Sequence, residues 1–592
     1  MKIMEKPNKL AGKAYAFDSF ENGQVLLHKK KNHLPAMGWN SWNAFGSGNT
    51  AELIRAMADK IIELGLDKLG YEYLVLDDGC YKPERVNGEL SNEEVKFPEG
   101  FRALADYIHA KGLKFGMYND IGTNLCAGAA VGTCGHEDVD AKSYIDWGVD
   151  FLKVDNCYYL WDNATFSAGT NAKFVYAPRV KSIRIVGESF EQQFSAVKDG
   201  KLTGLGCRIE GDYVTNIGTF DGTNVGTTPI GPRSGELEFA VTVPEAGEYQ
   251  VHVTYASGEE PGVGSWLQLA VGEELYYDDF LTSTENKETF VESTGIAVHL
   301  AAGTNRIRVM NHRRQENTLN SYAALLSGLN KAKPDHDVIF SLCEWGKTQP
   351  QNWGYKVADS WRILNDITFC VGADGNPGRG TWFDMGTASV TSQYDKAVVM
   401  DEFAGLSKGW NDPDMMMIGM DGLNETMCRS HMAMWCMMNS PLMLGLDLRR
   451  VEKGDWIYQI IANKELIALN QDALGIQAKR VYTTIETESP DTDYITNHDR
   501  CDILAKPLAD GSLAVCFINV NDKAWEKELQ ITVEQMVKML GHKMVNAKAF
   551  EKAVSYEVTD LWTGEQTENT SGCFCVQKLD ACESVTIRVR AK

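Results

Sequence analysis

The sequence predicts an α/β protein built on a (β/α)8 TIM barrel, with an inserted β-sandwich domain and a C-terminal antiparallel β-sandwich. Three observations carry this. From about residue 34 to 155, apolar runs alternate with amphipathic helical segments, the pattern of a parallel sheet covered on its outer side. Each run ends in polar residues, Asp77 and Asp78, Asn119 and Asp120, then Asp155, as where a barrel presents functional groups at its C-terminal strand ends. The alternation gives way twice, at about 180–313 and from about 477, to short period-two runs separated by Gly, Pro, Asn and Asp. A doubly wound open sheet would share the first pattern. It would gather its site at one switch point, often with a Gly-rich phosphate loop, and none is seen.

The elements follow in order. MGWNSW (37–42) is a short apolar run, and Thr50 is placed to cap the next helix, with Glu52 in its first turn. Ile54, Met57, Ile61 and Leu64 recur at spacings of three and four, so one helix face is buried, and Gly65 and Gly70 mark its end. YLVLDD (73–78) is a strand, Phe101, Leu104 and Ile108 repeat the helical spacing, and Gly112 closes it. KFGMYND (114–120) is the third strand, a helix covers about Val139 to Trp147, and FLKVD (151–155) is the fourth strand. The helical pattern resumes at Tyr322 to Leu329. VIFSLCE (338–344), Trp361 to Ile367, GWNDPDMMMIG (409–419) and PLMLGLDL (441–448) supply strands five to eight. The predicted division is an N-terminal extension at 1–33, barrel halves at 34–179 and 314–476, the insert at 180–313, and the last sandwich at 477–592.

Composition narrows the function. The formal net charge is −23 over 592 residues. So acidic a chain repels phosphate backbones and anionic lipid, which argues against nucleic acid and membrane as partners and is compatible with a neutral sugar. Acidity also simply keeps a protein soluble. The N-terminus shows no apolar core of a signal peptide, and the 14 cysteines form no CxxC pair or zinc spacing. These features point to free thiols in a reducing, cytoplasmic compartment, with export left open.

Cleaving a glycoside takes two carboxyl groups across the scissile bond. Asp155 ends a strand with Lys153 on the same face, a lysine expected to hold its pKa low; a strand-end aspartate equally often caps the next helix. Asp366 follows Arg362 by four residues among apolar neighbours, which suits a raised pKa and an acid role, or a plain Arg–Asp salt bridge. Asp77 and Asp78 could together take hydrogen bonds from vicinal hydroxyls. A metal site is the alternative, although no His accompanies them. Trp42, Tyr118, Trp345, Trp353 and Trp410 lie near strand ends, where aromatic rings suit the apolar face of a sugar; each alone is as readily core.

These pieces together resemble the family 27 glycoside hydrolases, the α-galactosidase and α-N-acetylgalactosaminidase family. The motifs fall in order: MGWNSW (37–42), YLVLDDGC (73–80), KFGMYNDIGTNLCAG (114–128), DWGVDFLKVDNCY (146–158), SLCEWG (341–346), SWRILNDI (360–367), GWNDPDM (409–415) and ALNQDALG (468–475). The resemblance implies that Asp155 is the nucleophile and Asp366 the acid/base of a retaining reaction. It implies that Trp42, Asp77, Asp78, Tyr118, Lys153, Arg362 and Asp414 line a galactose pocket, and that Cys126 and Cys157 are a commonly bridged pair. Glu344 and Trp353 would fill the space beside the sugar 2-hydroxyl, where an acetamido group would clash, so galactose is favoured over N-acetylgalactosamine. The expected substrate is a galactose-containing oligosaccharide or glycoconjugate. β-L-Arabinopyranose, galactose without its hydroxymethyl, is the nearest rival, with isomaltose-type glucan and a non-catalytic sugar-binding protein behind it. No cofactor or catalytic metal is implied.

Two departures from the family pattern stand out. Ser47 occupies roughly the position of the usual partner of Cys80, and Cys343 has no evident partner near Trp361, which fits a reducing compartment. The insert, in FAVTVPEAGEYQVHVTYAS and GTNRIRV, resembles family 35 and family 6 carbohydrate-binding modules. Such modules often hold calcium, for which no ligands are assigned here. The insert could bind sugar, wall the pocket or mediate a homo-oligomer.

Overall fold

The structure is a computed structural model describing residues 13–14, 33–157, 178–203, 207–215, 217, 235–257, 265–311, 313–384 and 386–592. Eight parallel strands form one sheet: β1 (Met37–Asn40), β2 (Tyr73–Val75), β3 (Lys114–Asp120), β4 (Phe151–Asp155), β5 (Ile339–Cys343), β6 (Ser360–Arg362), β7 (Trp410–Asp412) and β8 (Leu442–Leu444). Their order is β7-β6-β5-β4-β3-β2-β1-β8. The two ends meet just beyond β7, where Met416 bridges Leu444 in parallel and its N–H donates to Met443 O at 2.8 Å. The sheet is therefore a closed barrel. Buried on both faces, β1, β2, β5, β6 and β8 contain no exposed residue, which is why they read as uninterrupted apolar runs.

The helices follow their local signals. α1 (Ala51–Leu64) starts at Thr50, whose hydroxyl accepts from Leu53 N at 3.2 Å, and stops at Gly65 with φ 72°. Its Ile54, Met57, Ile61 and Leu64 are buried, as the spacing predicts. α2 (Gly100–His109) buries Phe101, Leu104 and Ile108, and α3 (Glu137–Trp147) buries Asp140, Ala141 and Tyr144. α4 (Arg313–Ala332) is far longer than the predicted 322–329. α5 (Val390–Ala397) and α6 (Glu425–Met437) follow β6 and β7, and a short helix, Ser41–Phe45, follows β1 directly. Strand β5 departs from the pattern, being followed only by two 3-10 turns, Pro350–Asn352 and Gly354–Lys356. Among the described residues no helix is long and apolar enough to cross a membrane.

Between β4 and α4 the chain forms two antiparallel sheets. One contains Glu236–Val243, Ser265–Val271, Glu274–Leu281 and Gly303–Met310; the other contains Arg179–Val186, Gly247–Ala256 and Ile296–Leu300. Their alternating inward residues, among them Val180, Ile183, Val251, Leu267, Leu269, Ile307 and Val309, form a separate core. Lys13–Ala14 pairs antiparallel with Glu274 and Leu275, so part of the predicted N-terminal extension is an edge strand of this insert. The last part of the chain is a six-stranded antiparallel sheet facing a two-stranded one, Leu529–Thr532 with Cys573–Val576. It also contains two helices that the all-β expectation missed, Val533–Leu540 and Ala547–Lys552. The first opens on a capping box between Thr532 and Gln535, a signal that was present in the sequence. This domain is fixed to the barrel by Trp382 Nε1 donating to Val520 O at 2.9 Å and by Arg500, which pairs with Asp395 at 2.5 Å.

The barrel closes so tightly at β1 that Gly38 has no room for a side chain. A Cβ there would stand 2.1 Å from Tyr73 O of β2. Gly38→Ala is expected to cost about 1–3 kcal/mol, measured as a lower midpoint of urea unfolding. An unchanged midpoint would contradict this β1–β2 contact.

Candidate active site

The strand register sets one row of residues across the barrel mouth. Asp120 of β3 pairs with Asp155 of β4, Asp155 with Cys343 of β5, and Arg362 of β6 with Asp412 of β7. The predicted strand-end residues therefore converge from different strands onto one face.

On the β1–β2 side, Asp77 and Asp78 are 2% and 1% exposed. Asp77 Oδ2 accepts from Asn40 Nδ2 and from Lys153 Nζ, each at 2.8 Å. Asp78 accepts from the backbone N–H of Ala127 at 2.7 Å and of Gly79 at 2.6 Å. Burial, reinforced by the Asp77 charge, pushes Asp78 up to about 6 despite those N–H donors.

Asp155 is 4% exposed. Its Oδ2 accepts from Tyr118 Oη at 3.0 Å and its Oδ1 from Asn156 N at 2.8 Å. The expectation that Lys153 holds this carboxyl low is corrected. Burial is the larger effect and raises the Asp155 pKa, while Lys153, Lys347 and Arg362 pull the other way. Lys153 spends its hydrogen bond on Asp77, not on Asp155.

Asp120, which the sequence marked only as a strand-end polar residue, is fully buried. Its carboxylate accepts from Cys157 N and Gly122 N, both at 2.6 Å, tying the two loops that carry Cys126 and Cys157. Those cysteines are joined as a disulfide with Cα atoms 5.3 Å apart, whereas Cys80 and Cys343 are free thiols. The ligand atoms of Asp120, Cys126, Asp155 and Cys157 lie within 4.8 Å of one another, a spacing that could hold a metal. The disulfide takes both sulfurs, which leaves two carboxylates, too few for a transition-metal site.

Across the mouth, Arg362 is 2% exposed and shared between two carboxylates: Nη2 lies 3.1 Å from Asp366 Oδ1 and 2.9 Å from Asp414 Oδ2. Asp414 has φ 75°, sparsely populated for a residue with a Cβ. Its carboxylate accepts from Ile367 N at 2.7 Å and its carbonyl from Trp435 Nε1 at 2.8 Å. The backbone beside Asp366 is thereby held. Burial pushes Asp366 up to about 6, opposed by Arg362 and supported by the charges of Asp414 and Asp155. The salt bridge read from the sequence and the raised pKa are both present, because burial outweighs the one shared guanidinium.

The aromatic residues divide. Trp42 packs, partly buried, beside Tyr73, Val75, Phe151, Ile339, Met415 and Met443. Tyr118 is buried on Asp155. Trp353 is 0% exposed, sits 6.0 Å from the Tyr322 ring and donates to Thr348 O, so it is core and not a wall of the mouth. Trp410 begins β7 and donates to His33 O, at the opposite end of the strand from the site. Glu344 is likewise 0% exposed: Thr348 N and Oγ1 both donate to its Oε1 at 2.8 Å, with Asn156 Nδ2 at 3.5 Å. It lies behind Asn156 and presents no open surface beside a sugar. Sequence reasoning also passed over Lys347, whose Nζ donates to Asn156 Oδ1 at 2.8 Å, and Asp412, raised by burial to about 6. Lys347 stands in no distinctive local pattern, whereas Asp412 lies in GWNDPDM (409–415), of whose two aspartates the resemblance marks only Asp414.

This carboxylate-rich mouth sits in a chain whose residues 34–176 and 310–472 match the alpha galactosidase A family. The chain belongs to that family, within glycoside hydrolase family 27. Residues 498–589 match its alpha galactosidase C-terminal beta sandwich domain, and the insert falls in the unmatched stretch between the barrel halves. The protein is 28% identical over 532 residues to alpha-galactosidase A of Cellvibrio japonicus, covering 90% of this chain and 86% of that one. It is 26% identical over 519 residues to the alpha-galactosidase of Cyamopsis tetragonoloba, covering 88% and 80%. The crystal structure of alpha-galactosidase I from Mortierella vinacea shares the fold, with a TM-score of 0.59 at 23% identity over 94% of this chain and 97% of that one. The protein is a glycoside hydrolase.

The electrostatics of the Arg362 cluster can be read directly. Asp414→Asn removes a charge that raises Asp366 and leaves Arg362 to Asp366 alone, so the Asp366 pKa is expected to fall below about 6. Arg362→Met is expected to raise it. Carbon-13 NMR titration of the Asp366 carboxyl measures both; shifts of the opposite sign would contradict the arrangement.

Proposed function

We propose that the protein is a retaining α-galactosidase that releases terminal α-linked galactose from an oligosaccharide or glycoconjugate. The observation that carries this reading is the pair of unlike carboxyl groups at one barrel mouth. Asp155 sits under two hydrogen-bond donors and three cationic charges, and Asp366 has its pKa raised to about 6. In this reading Asp155 attacks the anomeric carbon while Asp366 protonates the departing oxygen, giving a glycosyl ester. Asp366, now a base, takes a proton from water, which attacks the same carbon and frees Asp155. Burial makes neutral Asp366 available as an acid, and the hydrogen bonds to Asp155 orient its carboxylate.

The remaining groups suit a galactose ring. Asp77 and Asp78 offer acceptors to vicinal hydroxyls, Lys153 and Arg362 offer donors, and Trp42 offers an apolar face; Asp414 holds Arg362 in place. The names of the relatives support galactose. Glu344 supports it less directly than the sequence implied, because it stands behind Asn156.

Two measurements test this. With an activated aryl α-galactoside, Asp155→Ala is expected to lose on the order of 10^4-fold or more in kcat. Asp366→Ala should lose little in kcat/KM on that substrate, its kcat falling because the second step has lost its base, but roughly 10^2- to 10^4-fold in kcat/KM on a poor leaving group. Equal, mild losses would overturn the roles. Aryl α-galactoside, α-N-acetylgalactosaminide, β-L-arabinopyranoside and α-glucoside compared side by side should show the α-galactoside cleaved best; a dominant arabinopyranoside would keep the mechanism and move the specificity.

A further inference from the structure

The chain leaves β6 past Asp366 as a hairpin that crosses part of the barrel mouth. Cys370 bridges Arg379 and Ala373 bridges Asn376, both antiparallel. The hairpin is tied to the loops of three successive strands around the ring. Gly380 N donates to Asp421 O, beyond β7, at 2.8 Å. Asp374 pairs with Arg449, beyond β8, at 2.5 Å. Gly372 N donates to Asn43 O, beyond β1, at 2.8 Å. The last contact is so close that a Cβ on Gly372 would lie 2.3 Å from Ala44 O. The hairpin is thus a fixed wall over the β7–β8–β1 sector, and β4, which carries Asp155, lies across the ring from it.

On this wall, three residues after Asp366, Phe369 is 68% exposed. Single exposed apolar residues are ordinary. This one stands on an anchored element beside the proposed acid. When Asp155 attacks one face of the anomeric carbon, the leaving group departs from the other face and takes its proton from Asp366. The departing group therefore emerges on the Asp366 side of the mouth. If it is a sugar, it presents an apolar C–H face that an aromatic ring can cover.

We propose that Phe369 is a specificity-determining residue, the platform on which a sugar-type leaving group stacks, so that the enzyme favours galactosides of sugars over galactosides with a compact leaving group. This rests on the assignment of Asp155 and Asp366 above. The test compares wild type, Phe369→Ala and Phe369→Tyr on α-galactosyl fluoride, whose leaving group has no ring, and on an α-1,6-linked galactosyl-glucose disaccharide. Phe369→Ala is expected to lower kcat/KM for the disaccharide about tenfold and to leave fluoride release within about twofold, with Phe369→Tyr restoring the disaccharide. Wild-type rates on both substrates, or equal losses on both, would overturn the platform. Failure of the wild-type protein to release fluoride would overturn the catalytic assignment itself, and the platform with it.

Discussion

More carboxylates are buried at the mouth of this barrel than there are cations to balance them. Asp77, Asp78, Asp120, Asp155, Glu344 and Asp414 are buried and Asp366 and Asp412 half-buried, and they meet Lys153, Lys347 and Arg362, with the buried Lys396 acting on Glu344. A charge removed from water is costly unless it is paired. Lys153 is committed to Asp77, and Arg362 is divided between Asp366 and Asp414. The deficit appears as raised pKa values, about 6 at Asp78, Asp366 and Asp412 and upward at Asp120 and Asp155. A retaining glycosidase needs one carboxyl that keeps its proton and one that gives it up. Crowding favours the first, and the cations and N–H donor around Asp155 oppose its rise without cancelling it.

That crowding requires a rigid frame. Eight short strands deliver carboxylates from different directions, and no single helix or loop could gather so many at one place. The backbone does much of the holding. N–H groups of Gly79, Ala127, Gly122, Cys157, Asn156 and Ile367 each donate to one of these carboxylates. Such donors carry no titratable proton and cost no side-chain entropy, so they fix geometry without adding to the charge balance. The disulfide between Cys126 and Cys157 and the strained backbone of Asp414 serve the same end from opposite sides of the mouth.

Much of this was legible in the sequence where the signal is local. Thr50, Glu52 and Gly65 bound α1 because capping and the left-handed stop are properties of a few adjacent residues. The strand-end aspartates stood out because they interrupt apolar runs. What failed depended on register or on distant neighbours. Trp410 and Asp412 lie two residues apart in one motif, yet the first begins β7 and the second ends it, so only one is near the site. Trp353 looked like a platform and is core because Tyr322, from a helix whose extent was underread, packs against it. Lys153 was matched with Asp155, its neighbour along the strand, when its hydrogen bond goes across the sheet to Asp77.

The charge coupling between Asp155 and Asp366 is the most direct point of attack on this account. Esterifying Asp155 with 2-deoxy-2-fluoro-α-galactosyl fluoride would remove its charge while leaving the rest of the mouth in place. The Asp366 carboxyl, titrated by carbon-13 NMR, should stand near 6 in the free protein and move lower in the labelled one. A label found on a residue other than Asp155, or an Asp366 that titrates at the same pH or higher after labelling, would contradict the account.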